Sequence, residues 1–207
     1  YGRLLTVHPR QTSRNDVDDP TVLDMDMLQT GHGDRDSIRS TYELAHAAHV
    51  AEPRMPWFNS EVCYEGIGEA CRQDIQRFMY WTCMLSGACG HTYGANGIWQ
   101  VNRRDEPFGP SPHGMSWGDT PWDVAMQLPG SEQLGLGKAL LERFEWWRFE
   151  PRPDWVAPHA TQESPVAPYA AGIPGVTRVV YLPRGVWGVT FTGLEPDARY
   201  RAYLFNP

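Results

Sequence analysis

The feature that most constrains this chain is a recurrence: short apolar runs, each ending in a polar residue, separated by nearly equal lengths. Leu4-Leu5-Thr6-Val7 runs into His8, and Val22 to Leu28 runs into Gln29 and His32. Met55 to Ser60 runs into Glu61, and Ala88-Cys89-Gly90 runs into His91, Thr92 and Tyr93. The steps between His8, His32, Glu61 and His91 are 24, 29 and 30 residues, close to a strand–helix unit of about 30. Alternating strands and helices make a parallel sheet. Functional residues just beyond strands suit the C-terminal face of a (β/α)8 barrel, which takes about 250 residues. Four units over residues 1–147 therefore predict an α/β architecture, half of such a barrel. A doubly wound sheet competes, but no Gly-rich phosphate loop follows any strand. The barrel is the expectation.

Between the runs lie segments with helical periodicity. From Asp36 to Val50, Ile38, Tyr42, Ala45 and His49 share a face, with Asp34 or Asp36 available as cap. From Glu69 to Ser86 the stripe is Cys71, Ile75, Phe78, Thr82 and Leu85, with Gly87 placed to terminate the helix. A third helix is expected from Ser131 to Trp147, with Leu136, Leu140, Phe144 and Trp147 inward. Residues 9–21 have no apolar period and predict a loop with at most a helical turn. The connection over residues 98–130 is long and rich in Gly, Pro and Trp, with a short helix opening near Pro121 and Trp122. A loop of that length at the functional end usually shapes a binding site.

After Pro151 the pattern changes. Prolines at 151, 153, 158, 165, 168 and 174 predict an extended linker. Strand-like runs follow at Thr177–Leu182, Val186–Thr192 and Arg199–Phe205, an antiparallel pattern cut off before a sandwich closes. Two domains are expected, residues 1–147 and 148–207. The opening Tyr1-Gly2-Arg3 lacks methionine and signal peptide, so we read the chain as a piece of a longer protein whose export its sequence does not report.

Hydrophobic residues at 41% and charged ones at 21% supply a core. Eighteen Lys and Arg against 25 Asp and Glu give a net charge of −7, which argues against nucleic acid or an anionic membrane as partner. No apolar run approaches the roughly 18 residues of a membrane span. Cys63, Cys71, Cys83 and Cys89 form no CxxC pair. Buried free thiols are the plain reading, and a disulfide stays open because sequence fixes no pairing.

Glu61 is the sharpest chemical candidate. A carboxylate at a rigid strand end would face the barrel mouth, and glycosidases need two carboxylates, one as acid and one as nucleophile or base. Pairing with an arginine is the structural alternative. Glu65 is a second acid four residues on. His8, His32 and His91 converging at one mouth would ligate zinc, bond sugar hydroxyls or orient Glu61; no HxH or HExxH spacing supports metal. Gln29 and His32 lie on a polar turn that is also an ordinary capped loop. Tyr64, Tyr93, Trp99, Trp117 and Trp122 offer flat faces for stacking on sugar rings, although each alone is more often packing. His46 and His49 fall on a helix and read as structural, and His113 and His159 carry no signal.

These strand ends resemble a known family. Leu5-Thr-Val-His8-Pro9, Leu23-Asp-Met-Asp-Met-Leu-Gln29-Thr-Gly-His32, Asn59-Ser-Glu61-Val-Cys-Tyr64-Glu65-Gly66 and Gly87-Ala-Cys-Gly-His91-Thr-Tyr93-Gly94-Ala-Asn-Gly97-Ile-Trp99 are similar to the apiosidase-like catalytic domains. These are (β/α)8 glycoside hydrolases that include glycoside hydrolase family 140. The tail, with Tyr181-Leu-Pro and Arg201-Ala-Tyr-Leu-Phe-Asn-Pro207, is similar to the β-sandwich domain that follows the barrel there, sometimes labelled collagen-binding. The resemblance implies that the strands are the fifth to eighth of the barrel and that Glu61 is the nucleophile of a retaining mechanism. The acid/base carboxylate would follow the fourth strand, upstream of Tyr1, leaving this chain alone inactive. His8, Gln29, His32, Tyr64, Glu65, His91, Tyr93 and Trp99 would bind a carbohydrate substrate. No metal or other cofactor is implied, and secretion or a periplasmic location is. The family's best-known activity releases apiose from pectic side chains. A carbohydrate-binding barrel without activity and a metal-dependent hydrolase built on the histidines are the competing functions.

Overall fold

The computed structural model describes residues 2–107 and 117–206. His113 and part of the 98–130 connection lie outside the described residues. Three parallel strands, β1 (Asp26–Gln29), β2 (Trp57–Glu61) and β3 (Gly90–His91), pair in that order. Helices α1 (Asp36–Val50) and α2 (Gln73–Leu85) are the crossovers between them.

Leu4–Val7, expected as a strand, is not one. Leu5 and Asp24 bond to each other, Leu5 N–H to Asp24 Oδ2 at 2.7 Å and Asp24 N–H to Leu5 O at 2.9 Å. Residues 11–13 instead take the free edge of β1. Gln11 O accepts from Gln29 N–H at 2.9 Å, Ser13 Oγ accepts from Met27 N–H at 3.0 Å, and Thr12 bridges Leu28 antiparallel. Edge donors of β1 are thereby satisfied locally, as buried backbone requires. The expected loop at 9–21 holds two short 3-10 turns, Ser13–Asn15 and Pro20–Val22.

Helix α1 has the expected bounds and buries Ile38, Thr41, Ala45 and Ala48. Neither Asp34 nor Asp36 caps it; Asp34 Oδ1 accepts from Cys71 N–H at 2.8 Å instead. Helix α2 starts at Gln73, not Glu69, because Gly68, Glu69 and Cys71 have left-handed φ of 57°, 61° and 50°. Cys71 therefore precedes the helix. Nearly every side chain from Ile75 to Leu85 is buried, as expected for a helix covered all round.

What covers α2 is the second half of the chain. The short α3 (Trp122–Ala125) leads to α4 (Pro129–Leu141), which stops six residues before the expected end. Its buried face is Leu134, Gly137 and Leu141; Leu136 and Trp147 are exposed, Trp147 at 68%. The cause is Gly137, where a Cβ would lie 2.7 Å from the Tyr80 ring and 3.3 Å from Trp81. The helix turns Gly137 toward α2 and approaches closely.

Beyond it, β4 (Glu150–Pro151), β6 (Tyr169–Ile173) and β7 (Thr177–Tyr181) form an antiparallel sheet in the order β4-β6-β7. Strand β5 (Val156–Ala157) pairs with β8 (Thr190–Phe191). The expected linker thus contains the fully buried β6, and among the described residues no strand forms over 199–205. Tyr169 and Tyr181 meet the Phe78 ring at 6.0 and 5.9 Å, and Tyr181 stacks on Trp81 at 6.0 Å. One apolar core runs from Leu28 and Trp57 through α2 to Tyr169 and Ala171.

Candidate functional site

Glu61 ends β2. The β1–β2 register slips by one residue between Leu28 and Gln29, so Asn59 faces Leu28, Ser60 is the extra residue, and Glu61 faces Gln29. Such an irregularity at a strand end re-aims a side chain. Asn59 points into the helix layer, where its amide and the Thr30 hydroxyl hydrogen-bond at 3.0 Å. Glu61 is 15% exposed and reaches three donors.

Tyr64 O–H donates to Glu61 Oε1 at 3.0 Å, and His32 Nε2–H donates to the same oxygen at 2.9 Å. His8 Nε2 stands 2.8 Å from Oε2, on a side chain 57% exposed. An ionised carboxylate only accepts, so both imidazoles present a protonated Nε2 to it. Burial and then the Glu61 charge push the Tyr64 phenol up, which keeps it a donor. Burial alone would lower His32, but its interactions with Cys63 and Glu61 outweigh it and raise the ring above the ordinary 6.5. The His32 ring is flanked by Tyr64 at 4.5 Å and Trp117 at 5.7 Å. Gly94 makes room: a Cβ there would lie 2.3 Å from the Tyr64 ring.

Glu65 belongs to a separate, buried cluster. Its Oε2 accepts from Tyr93 O–H at 2.6 Å and from Gly130 N–H at 2.9 Å, near the start of α4. Oε1 is buried without a partner. Burial raises its carboxyl, against the lowering pull of Tyr93 and Gly130. Glu65 and Tyr93, expected to touch substrate, are therefore held in this conformation as the tie between the loop after β2, the loop after β3 and α4.

His91 also departs from expectation. It pairs with Asn59 across β2–β3 and meets the Tyr80 ring of α2 edge-on at 5.6 Å. Both ring nitrogens are buried without partners, and burial pushes the imidazole down to about 3. Among the described residues, no contact joins it to Glu61. Gln29 neighbours Glu61 through the strand pairing, and Trp99 is 55% exposed on the loop after β3. The structure thus gathers Glu61, His8, His32, Tyr64 and Gln29, and sets Glu65, Tyr93 and His91 elsewhere. It adds Trp117, noted in sequence only as one aromatic among several, and Cys63 and Gly94, which carried no signal. Among the described residues no three His, Cys, Asp or Glu side chains are arranged to hold a metal ion. No helix among them is long and apolar enough to cross a membrane.

A carboxylate fixed at the end of a parallel strand by two imidazoles and a phenol, beside aromatic faces, is the kind of site glycoside hydrolases carry. Comparison with known proteins agrees with that class. The family model described as apiosidase-like, catalytic domain, matches residues 1–148, and the chain belongs to that family. The fold is similar to a glycoside hydrolase family 5 protein from Bacteroides vulgatus ATCC 8482, with 23% identity and a TM-score of 0.64, covering 79% of this chain and 39% of that one. It is also similar to a second solved structure described as a glycoside hydrolase, with 22% identity, a TM-score of 0.64, and 79% and 40% coverage. The chain thus spans about two fifths of the length of these structures. No curated protein matches it.

Proposed function

We propose that this chain is the C-terminal half of the (β/α)8 barrel of a retaining glycoside hydrolase, with Glu61 as the nucleophile. The observation that carries the reading is the hold on Glu61: three side chains at 2.8, 2.9 and 3.0 Å fix its direction while leaving it reachable. A nucleophilic carboxylate needs that aim. Residues 1–147 carry the barrel strands and 148–207 the following β-domain, packed through Tyr169 and Tyr181 onto α2.

The acid/base partner lies outside this chain, about 5–5.5 Å from Glu61 in the intact enzyme, as retention requires. In the first step Glu61 attacks the anomeric carbon while the partner protonates the leaving oxygen. In the second, water displaces Glu61 with the partner as base. His32 and Tyr64 steady Oε1 as its charge falls and returns. By family the substrate is a plant or microbial polysaccharide, with apiose-bearing side chains the first sugar to try, met after export from the cell.

The test is Glu61→Ala in the intact enzyme on an aryl apioside. Turnover should fall by about three orders of magnitude or more, and added azide should restore aglycone release with a glycosyl azide of inverted configuration. Near-normal activity without azide would overturn the assignment, and wild-type binding without hydrolysis would favour a carbohydrate-binding barrel.

A further inference from the structure

Glu61 sits where the regular alternation of its strand would not send it. Along β2, Trp57 and Asn59 are buried, and Phe58 and Ser60 are half-buried. Asn59 turns toward α2, with Cys83 Sγ 3.7 Å from its amide. Side chains alternate faces along a strand, so an unbroken β2 would set Glu61 beside Trp57 and Asn59, in the helix layer. A one-residue slip sends every later side chain to the other face. The extra residue, Ser60, makes that slip, and Glu61 emerges among His8, His32 and Tyr64 instead.

What holds the slip is a set of short polar side chains. Ser60 Oγ donates across it to Leu28 O at 2.9 Å. Asn59 is fully buried, with its amide between the carbonyls on either side of the slip. Its oxygen accepts from the Thr30 hydroxyl at 3.0 Å, and its nitrogen donates to Leu28 O and to Glu61 O, each at 3.2 Å. That orientation of the amide satisfies every partner. An amide has two N–H donors, so one side chain serves both carbonyls. Further bonds clamp the same stretch. Thr30 N–H donates to Glu61 O at 3.1 Å, and on the β3 side Thr92 N–H and its hydroxyl donate to Asn59 O at 2.9 and 3.1 Å. Thr30 is in turn tied to α1, where the Ser40 hydroxyl donates to Thr30 O.

We propose that Asn59 and Ser60 are positioning residues: their side chains hold the register slip that turns Glu61 out of the helix layer and toward the substrate. The kinetic consequence rests on Glu61 being the nucleophile; the aim of its side chain does not. Both residues act through the backbone that carries Glu61, not on its carboxylate. Removing the Ser60 hydroxyl takes a donor from Leu28 O. Truncating Asn59 takes one from Leu28 O and one from Glu61 O, which weakens the slipped register against the regular one. A loosened backbone at this point swings the carboxylate off its line, and misplacement by about 1 Å is enough to cost about a hundredfold in rate.

The test compares Ser60→Ala, Ser60→Thr and Asn59→Ala in the intact enzyme, reading kcat, KM, urea unfolding and the NMR titration of His32. Ser60→Ala should lower kcat about ten- to a hundredfold, with KM within about twofold of wild type. Ser60→Thr keeps the hydroxyl and should recover most of the loss, whereas Asn59→Ala should lower kcat further. The His32 midpoint should fall toward that of free histidine in Ser60→Ala and return in Ser60→Thr, because the ring depends on a fixed carboxylate at Nε2. Lost stability in Ser60→Ala with kcat and the His32 midpoint both as in wild type would make the slip a folding feature only and overturn the proposal. An equal loss of kcat in Ser60→Thr would also overturn it. If trapping labels a carboxylate other than Glu61, the nucleophile reading fails, and the His32 midpoint alone then decides the positioning. The Ser60 pair gives the answer even if Asn59→Ala does not fold.

Discussion

His32 Nε2 lies 2.9 Å from Glu61 Oε1, and the same oxygen takes the Tyr64 phenol at 3.0 Å, so the donors on one atom come from two separate loops. The raised folded value of His32 gives this arrangement a pH signature. Because it exceeds the ordinary 6.5, the stabilisation is complete below that pH and is lost as pH rises through the folded midpoint. NMR titration should show His32 protonating above free histidine, and Glu61→Gln should bring its midpoint down. An unchanged midpoint in that variant would mean the contact does not form in solution.

Glu65 should behave as a structural residue. Glu65→Ala leaves the Gly130 N–H and the Tyr93 hydroxyl without their acceptor and should cost about 2–3 kcal/mol in urea unfolding. Glu65→Gln keeps an amide oxygen for both donors and should cost less than about 1 kcal/mol. The raised carboxyl also predicts that, for wild type, stability falls as pH rises from 4.5 through the folded value. The Gln variant should lack that slope.

Gly94→Ala should disturb Glu61 from a distance. Its Cβ would sit 2.3 and 2.6 Å from two Tyr64 ring carbons, so the ring must move and its hydrogen bond to Glu61 must lengthen or break. The expected loss is about 1–3 kcal/mol, together with a lower kcat in the intact enzyme. Unchanged Tyr64 resonances would count against the close approach.

His91→Phe should leave the fold intact. The buried, unpartnered imidazole is pushed down to about 3, so the unfolded chain binds more protons between that value and 6.5. Stability is therefore lost as pH falls from 6.5 toward 3. The Phe variant should match or exceed wild type by about 1 kcal/mol at neutral pH and hold more of its stability in acid. Equilibrium unfolding at two pH values decides it, and a large loss at neutral pH would show that the imidazole has a partner.

The strand-end rule located Glu61 and His32 because a parallel strand delivers the residues at its end to one face of the sheet, and three of the four runs do contain a paired strand; His8 reaches Glu61 although the run before it is no strand. Leu4–Val7 escaped it because its apolar residues resemble a strand while Gln11 and Ser13 hold the edge it would have used. His91 and Glu65 lie apart from Glu61 for another reason. Spacing puts a residue at a strand end without fixing which way it points, and neither the Asn59–His91 register nor the Glu65 bond to Gly130 has a local signal. Strand β6, Tyr-Ala-Ala-Gly-Ile, read as linker because small residues have low strand propensity. It is held by packing on α2, and Gly172, whose Cβ would lie 2.0 Å from Thr177 O, admits the close pairing with β7. The buried face of α4 turned on Gly137, since a glycine reads as a gap in a stripe although here it is the contact.

The role of Glu61 is tested most directly by trapping. The intact enzyme is incubated with an activated fluoro-glycoside of its substrate sugar, which forms the covalent intermediate faster than it hydrolyses, and the labelled peptide is sequenced by mass spectrometry. The glycosyl group is expected on the Glu61 carboxylate, in the peptide containing Tyr64. A label on any other carboxylate, or rapid turnover with inversion and no label at all, would contradict the account.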